Sequence, residues 1–162
     1  MNKDDVAKAI DALDKAKGEW YRERVSFPVD FSDIRRWAIG VYWPEIPPEI
    51  FVNEDYAKKT KWGKIIAPRE FNPFAWPVKA NESNGGLDIG LIPHLRSMAG
   101  GTNDVYGVQI HIGDVITERS RVSEYKLTKT RLGQTLFVIN ESEWVNQNKE
   151  LVRTRFSTGV RY

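Results

Sequence analysis

Residues 131–162 read RLGQTLFVINESEWVNQNKELVRTRFSTGVRY, and this stretch decides the fold. A turn-forming run, Asn146 to Lys149, separates two segments of strand composition. In the second, Val152, Phe156, Val160 and Tyr162 share a strand face with Thr154 and Thr158, while Arg153, Arg155 and Arg161 fall on the other. In the first, residues 136–139 are apolar on both faces, which predicts a central strand covered on both sides. Upstream, TNDVYGVQIHIGDVITERSRVSEYKL (102–127) predicts a further strand pair, broken near Gly113 and Asp114.

The N-terminal half has a different character. Residues 3–17 carry Val6, Ile10 and Leu13 at helical spacing, with Asp4 and Asp5 in the first turn and Gly18 placed to end the helix. Residues 1–18 are therefore a helical extension of one domain spanning 1–162. Trp20 to Val29 mixes aromatic and β-branched residues and predicts an edge strand. Ser32 suits an N-cap for a helix reaching about Val41, with Ile34, Trp37, Ala38 and Val41 facing the core. In YWPEIPPEIF (42–51) three prolines exclude regular helix and impose an extended, rigid loop. Asn53 can cap a short helix bearing Tyr56 and Ala57. IIAPREFNPFAW (65–76) reads as a loop feeding a buried helix near 69–77, and residues 79–93, with Asn-Gly-Gly and Pro93, read as a loop or lid. Helices first and antiparallel strands last predict an α+β domain, one sheet packed on a helix.

Composition narrows the function classes. The 24 Lys and Arg nearly balance 22 Asp and Glu, so the net charge of +2 gives no argument for nucleic acid. The absence of cysteine excludes disulfides, thiolate metal sites and thiol catalysis. No apolar run has signal-peptide or membrane-span length, so a soluble cytoplasmic protein is expected.

Common catalytic signatures are missing: no phosphate loop, no nucleophile elbow, no paired histidines at metal spacing. The two histidines are His94, in the long loop and able to reach a cleft, and His111, which alternation places facing solvent. Glu45, Glu49 and Asp88 sit in Pro- or Gly-rich loops, where solvated charge is the ordinary reading. Tryptophans 37, 43, 62 and 76 are ordinary core candidates, but Trp43 lies in the proline-stiffened loop, a suitable wall for an apolar pocket.

Several segments in a fixed order resemble the N-terminal-type domain of MaoC-like acyl dehydratases. They are IRRWAIGVYWPEIPPEIFVNEDYA, KWGKIIAPREFNPFAW, MAGGTNDVYG, IHIGDVITERSRV, RLGQTLFVINESEWVNQNKELV and RTRFSTGVRY, covering about Ile34 to Tyr162. The resemblance implies a hot-dog fold, a curved antiparallel sheet wrapped around a central helix. Such domains pair, and an acyl-thioester lies in a tunnel at the interface. Active members hydrate a trans-2-enoyl-CoA or dehydrate a 3-hydroxyacyl-CoA, in fatty acid or steroid side-chain metabolism, with no cofactor and no metal. That chemistry needs donors on the thioester carbonyl and an Asp/His pair to hold water and pass its proton.

Catalytic relatives carry the pair in a Gly-Asp-x-Asn-Pro-x-His-x-Asp segment before Tyr-Ala. Counting back from Tyr56-Ala57, Phe51 takes the histidine position and Ile46 the aspartate position. Neither can exchange a proton. By this resemblance the chain is the non-catalytic half of a hydratase or dehydratase, with the Asp/His pair on a second MaoC-like chain. Two alternatives stand beside it. One is a stand-alone hydratase or thioesterase with a rearranged site, using Glu45, Glu49 or His94; the other is an acyl-CoA or apolar-ligand binding protein without chemistry. A homodimer is the alternative to a second kind of chain. The tunnel lining expected from the resemblance is Trp43, Phe51, Phe71, Phe74 and Trp76. Arg69, Lys126 or Lys129 would meet CoA phosphates.

Overall fold

The structure, a computed structural model, describes residues 3–73, 76 and 96–162. The chain opens with α1 (Lys3–Ala16), then β1 (Trp20–Val25), α2 (Phe31–Tyr42), a 3-10 turn at Glu49–Phe51 and α3 (Glu54–Lys58). Four long strands follow: β2 (Ser97–Tyr106), β3 (Thr117–Thr130), β4 (Gly133–Val145) and β5 (Leu151–Arg161). Every pairing is antiparallel, in the order β1-β3-β4-β5-β2. The α+β architecture read from the sequence is therefore the observed one, with β4 central and β1 at an edge.

Local chemistry explains the elements. The Asp30 carboxylate accepts the Ser32 N–H at 2.7 Å, so the N-cap of α2 lies two residues before the serine expected there. Asn53 caps α3 as expected, accepting from the Tyr56 N–H at 3.1 Å. Between β4 and β5, the Asn146 side-chain oxygen accepts from Asn148 and Glu150 N–H groups at 3.0 Å each, which closes the turn.

The strands of 102–127 are not partners. β2 lies at the far edge beside β5, and β3 lies between β1 and β4. Residues 107–116 carry the chain across. Gly107 starts the crossing because any Cβ there would strike the Leu151 carbonyl. The Asp114 carboxylate then accepts from the His111 N–H at 2.8 Å and from Gln147 Nε2 at 3.0 Å, while Ser26 Oγ accepts from the Ile116 N–H at 2.9 Å.

Two apolar clusters hold the molecule. α1 seats Ala9 and Leu13 on Val122, Leu136 and Val138 of β3 and β4. At the other end, Ile34 of α2 packs with Val29, Ala57, Ile65, Phe71, Ile110, Ile116, Trp144 and Val152. Val41, expected in the core, is exposed, and Phe137 and Ile139 on the outer face of β4 are only half-buried. The helix expected near 69–77 does not form at its described residues: 69–70 are a turn and 71–73 are irregular, as Pro68 and Pro73 dictate. Residue 76 is irregular as well, while 74, 75 and 77 and the lid expected at 79–93 lie outside the described residues. Among the described residues, the helices that cover the sheet are α1 and α2. No helix there is long and apolar enough to cross a membrane.

Candidate functional site

Strand register builds a row of side chains across all five strands. Arg24 pairs with Glu118, Glu118 with Trp144, Trp144 with Arg153, and Arg153 with Tyr106. Cross-strand partners share a face, and Leu136 and Val138 place this face on the side that α1 covers. Glu118 Oε2 accepts from Arg24 Nη2 and from Trp144 Nε1, both at 2.8 Å. The guanidinium of Arg24 stacks 4.0 Å from the Trp76 ring, and Trp76 meets Trp144 edge-on at 5.7 Å. Arg153 lies 3.6 Å over Trp144.

One row further along, Ser120 and Ser142 hydroxyls meet at 3.0 Å, and Arg155 holds Asp104 through two bonds of 2.7 and 2.6 Å. That bidentate pairing holds the Asp104 carboxyl below the usual carboxylate range. Above these rows opens a cleft of about 450 Å³, lined by Arg24, Trp37, Glu70, Glu118, Trp144 and Arg153 with neighbouring polar groups. Burial foremost, reinforced by repulsion from Arg155 and opposed by attraction to Asp104, Tyr106 and Glu118, lowers the Arg153 pKa.

The residues singled out from the sequence do not converge on one place. Trp43 is 77% and Ile46 90% exposed, at the end of α2. Glu45 and Glu49 are exposed beside them. Phe51 is half-buried against the core, its ring 6.1 Å from Tyr42. Phe71 is fully buried, edge-on to Trp37 at 5.9 Å, whereas Trp76 stacks on Arg24, one of the residues that line the cleft. Arg69 is exposed, 5.5 Å over Tyr106, and lines a small cavity of about 20 Å³. Lys126 and Lys129 lie far along β3; Lys126 is eight residues beyond Glu118, about 26 Å at strand rise. Phe74, Asp88 and His94 lie outside the described residues. His111 is not solvent-facing as alternation suggested: it is half-buried, 6.2 Å from the Trp62 ring, with a buried Nδ1 that makes no hydrogen bond.

Sequence reasoning missed the row Arg24–Glu118–Trp144–Arg153. Its one signal was the alternation that set Arg153 and Arg155 apart from the apolar face of β5. Polar residues at matching positions, Glu118 and Ser120 on β3 and Ser142 on β4, become a signal only when the register is known.

The antiparallel sheet and its helical cover define a dehydratase-type hot-dog domain. The family described as FAS1-like, dehydratase domain region, matches residues 15–155, and the chain belongs to this family. No curated protein sequence matches it. Among solved structures, it is similar to a chain of the ChsH1-ChsH2 complex from Mycobacterium tuberculosis, at 15% identity and a TM-score of 0.74, covering 96% of this chain and 91% of that one. It is also similar to the R-hydratase PhaJ1 from Pseudomonas aeruginosa, at 17% identity and a TM-score of 0.58, covering 88% and 79%. A third similarity is to the HadBC 3R-hydroxyacyl-ACP dehydratase complex from Mycobacterium tuberculosis, at 15% identity and a TM-score of 0.56, covering 88% and 98%.

Proposed function

We propose that the chain is the non-catalytic subunit of an enoyl-thioester hydratase or 3-hydroxyacyl-thioester dehydratase, acting in the cytoplasm with a second hot-dog chain that carries the Asp/His pair. The observation that carries this reading is the chemistry at positions 46 and 51. Ile46 points out to solvent and Phe51 packs on the core, so neither place offers a proton acceptor. Glu45 and Glu49 beside them are exposed to solvent, the ordinary setting of a surface carboxylate. Two of the similar structures are complexes of two named chains, which supports a partner. The exposed Trp43 and Ile46 fit a surface that such a partner covers, and the aromatic residues Phe51, Phe71 and Trp76 would shape the acyl pocket from this side.

The test is hydration of a chain-length series of trans-2-enoyl-CoA thioesters. Acid–base groups contribute about 10²–10⁴-fold, so the purified chain alone should stay near background. Added to a hot-dog chain bearing the Asp/His pair, it should raise turnover or extend the range of acyl chains accepted. Rapid hydration by the isolated chain, abolished in Glu45→Gln or Glu49→Gln, would overturn the subunit reading.

A further inference from the structure

The helix-bearing face of the sheet carries three arginines around one cleft, and their charges are not equally answered. Arg24 is paired with Glu118 and stacked on Trp76. Arg155 is paired with Asp104 through both oxygens. Arg153 makes no ion pair with any described residue, although it is only 5% exposed. Its Nε is buried without a hydrogen bond, and its guanidinium face rests on Trp144. Glu70 also lines the cleft, but it is solvent-exposed and forms no ion pair with Arg153.

A buried guanidinium without a carboxylate is costly. Replacement by an apolar residue would be the cheaper way to fill the site. The arrangement around Arg153 is instead that of a receptor: a cation that Asp104 and Glu118 attract from nearby but that no described carboxylate bonds, lining a cleft of about 450 Å³ together with Trp37 and Trp144. We propose that this cleft binds a small organic carboxylate with an apolar body, held by Arg153 through charge-assisted hydrogen bonds. Planar, bidentate donors suit a carboxylate. A phosphate dianion would call on a second free cation, and Arg24 and Arg155 are already neutralised. The place for an apolar body is the half-buried Trp37 indole, because Trp144 is already covered by Arg153 and Trp76, and a short chain fits there beside Asn72 and Ser142. This site does not depend on the acyl-thioester reading: it needs only the purified chain and no turnover.

Tryptophan fluorescence and calorimetric titration of the purified chain test it, using hexanoate, hexanol and inorganic phosphate as probes. Hexanoate should saturate, whereas hexanol and phosphate should not. Arg153→Met should lose the hexanoate response by about tenfold or more in affinity, the scale of a lost charge-assisted hydrogen bond. Arg131→Met, on the exposed β3–β4 turn, should titrate as the unaltered chain does. Removing a buried charge that no described carboxylate bonds should also leave the thermal midpoint of the ligand-free Arg153→Met chain unchanged or raised. If that variant does not fold, Arg153→Lys and the three probes on the unaltered chain decide the matter. Equal binding of hexanol and hexanoate, saturation by phosphate in place of carboxylate, or no saturable carboxylate binding each overturns the proposal. So does a loss in Arg131→Met equal to that in Arg153→Met.

Discussion

Trp144 shows how one side chain can serve two roles. Its ring joins the core cluster and supports Arg153, while its Nε1 anchors Glu118. Trp144→Phe keeps most of the ring area but leaves the buried Glu118 with one donor fewer. A hydrogen bond to a charged group is worth about 1.5–3 kcal/mol, so urea unfolding should show a loss of that order. An unchanged midpoint would mean that water replaces the indole. His111 predicts a pH dependence. Burial, reinforced by repulsion from Lys64 and opposed by Asp114, holds its pKa below the usual 6.5. The unfolded chain then binds more protons between the two values, so stability rises with pH through that window and is lost as pH falls below about 6.5. Denaturation across pH 5 to 8 should show this slope, and His111→Gln should flatten it.

At the level of elements, α1 is attached by few but well-buried contacts. Leu13 is fully buried between the helix and Val122, Leu136 and Val138. Leu13→Ala should cost about 2–5 kcal/mol, measured by denaturant unfolding, with the helix signal and the core lost together. The exposed Lys15–Asp11 pair on the same helix should matter far less, about 0.5 kcal/mol at most. The 107–116 crossing makes a different demand. Gly107→Ala forces a Cβ against the Leu151 carbonyl, so the start of the crossing must shift or the β5 end must give way. A loss of about 1–3 kcal/mol is expected, and a neutral effect would show that the approach is looser than the structure has it.

For the whole molecule, the sheet ends at two uncovered edges among the described residues, β1 and the ten-residue β2. Edges of that length invite pairing with another chain. Exposed apolar side chains at Ile39, Val41, Trp43 and Ile46 add surface that association would cover. Light scattering should find a two-chain particle, made of this chain or of this chain with its partner. Ile46→Glu should weaken that association while changing the stability of the chain itself by less than about 0.5 kcal/mol, since Ile46 is already in solvent. A stable monomer at micromolar concentration, with no partner bound in the host, would remove this expectation.

By itself the sequence determined the kinds of elements and their order. The 3.6-residue spacing of Val6, Ile10 and Leu13, the capping role of Asn53, the turn at Asn146–Lys149 and the two-sided apolar run of β4 are local properties, written in neighbouring residues. That Ile46 and Phe51 stand where catalytic relatives carry Asp and His is what the resemblance implies, counted back from Tyr56-Ala57, and that neither exchanges a proton is side-chain chemistry alone. Only the tertiary structure decided which strands are neighbours and which face is covered. Two strands read as adjacent in 102–127 lie on different sides of β4–β5, because Gly107 and Asp114 carry the chain across. His111 and Arg153, read as lying away from the apolar faces, are turned inward by that same arrangement. Alternation along a strand separates two faces, but burial depends on what packs against them. The row from Arg24 to Tyr106 exists only once five distant segments share a register.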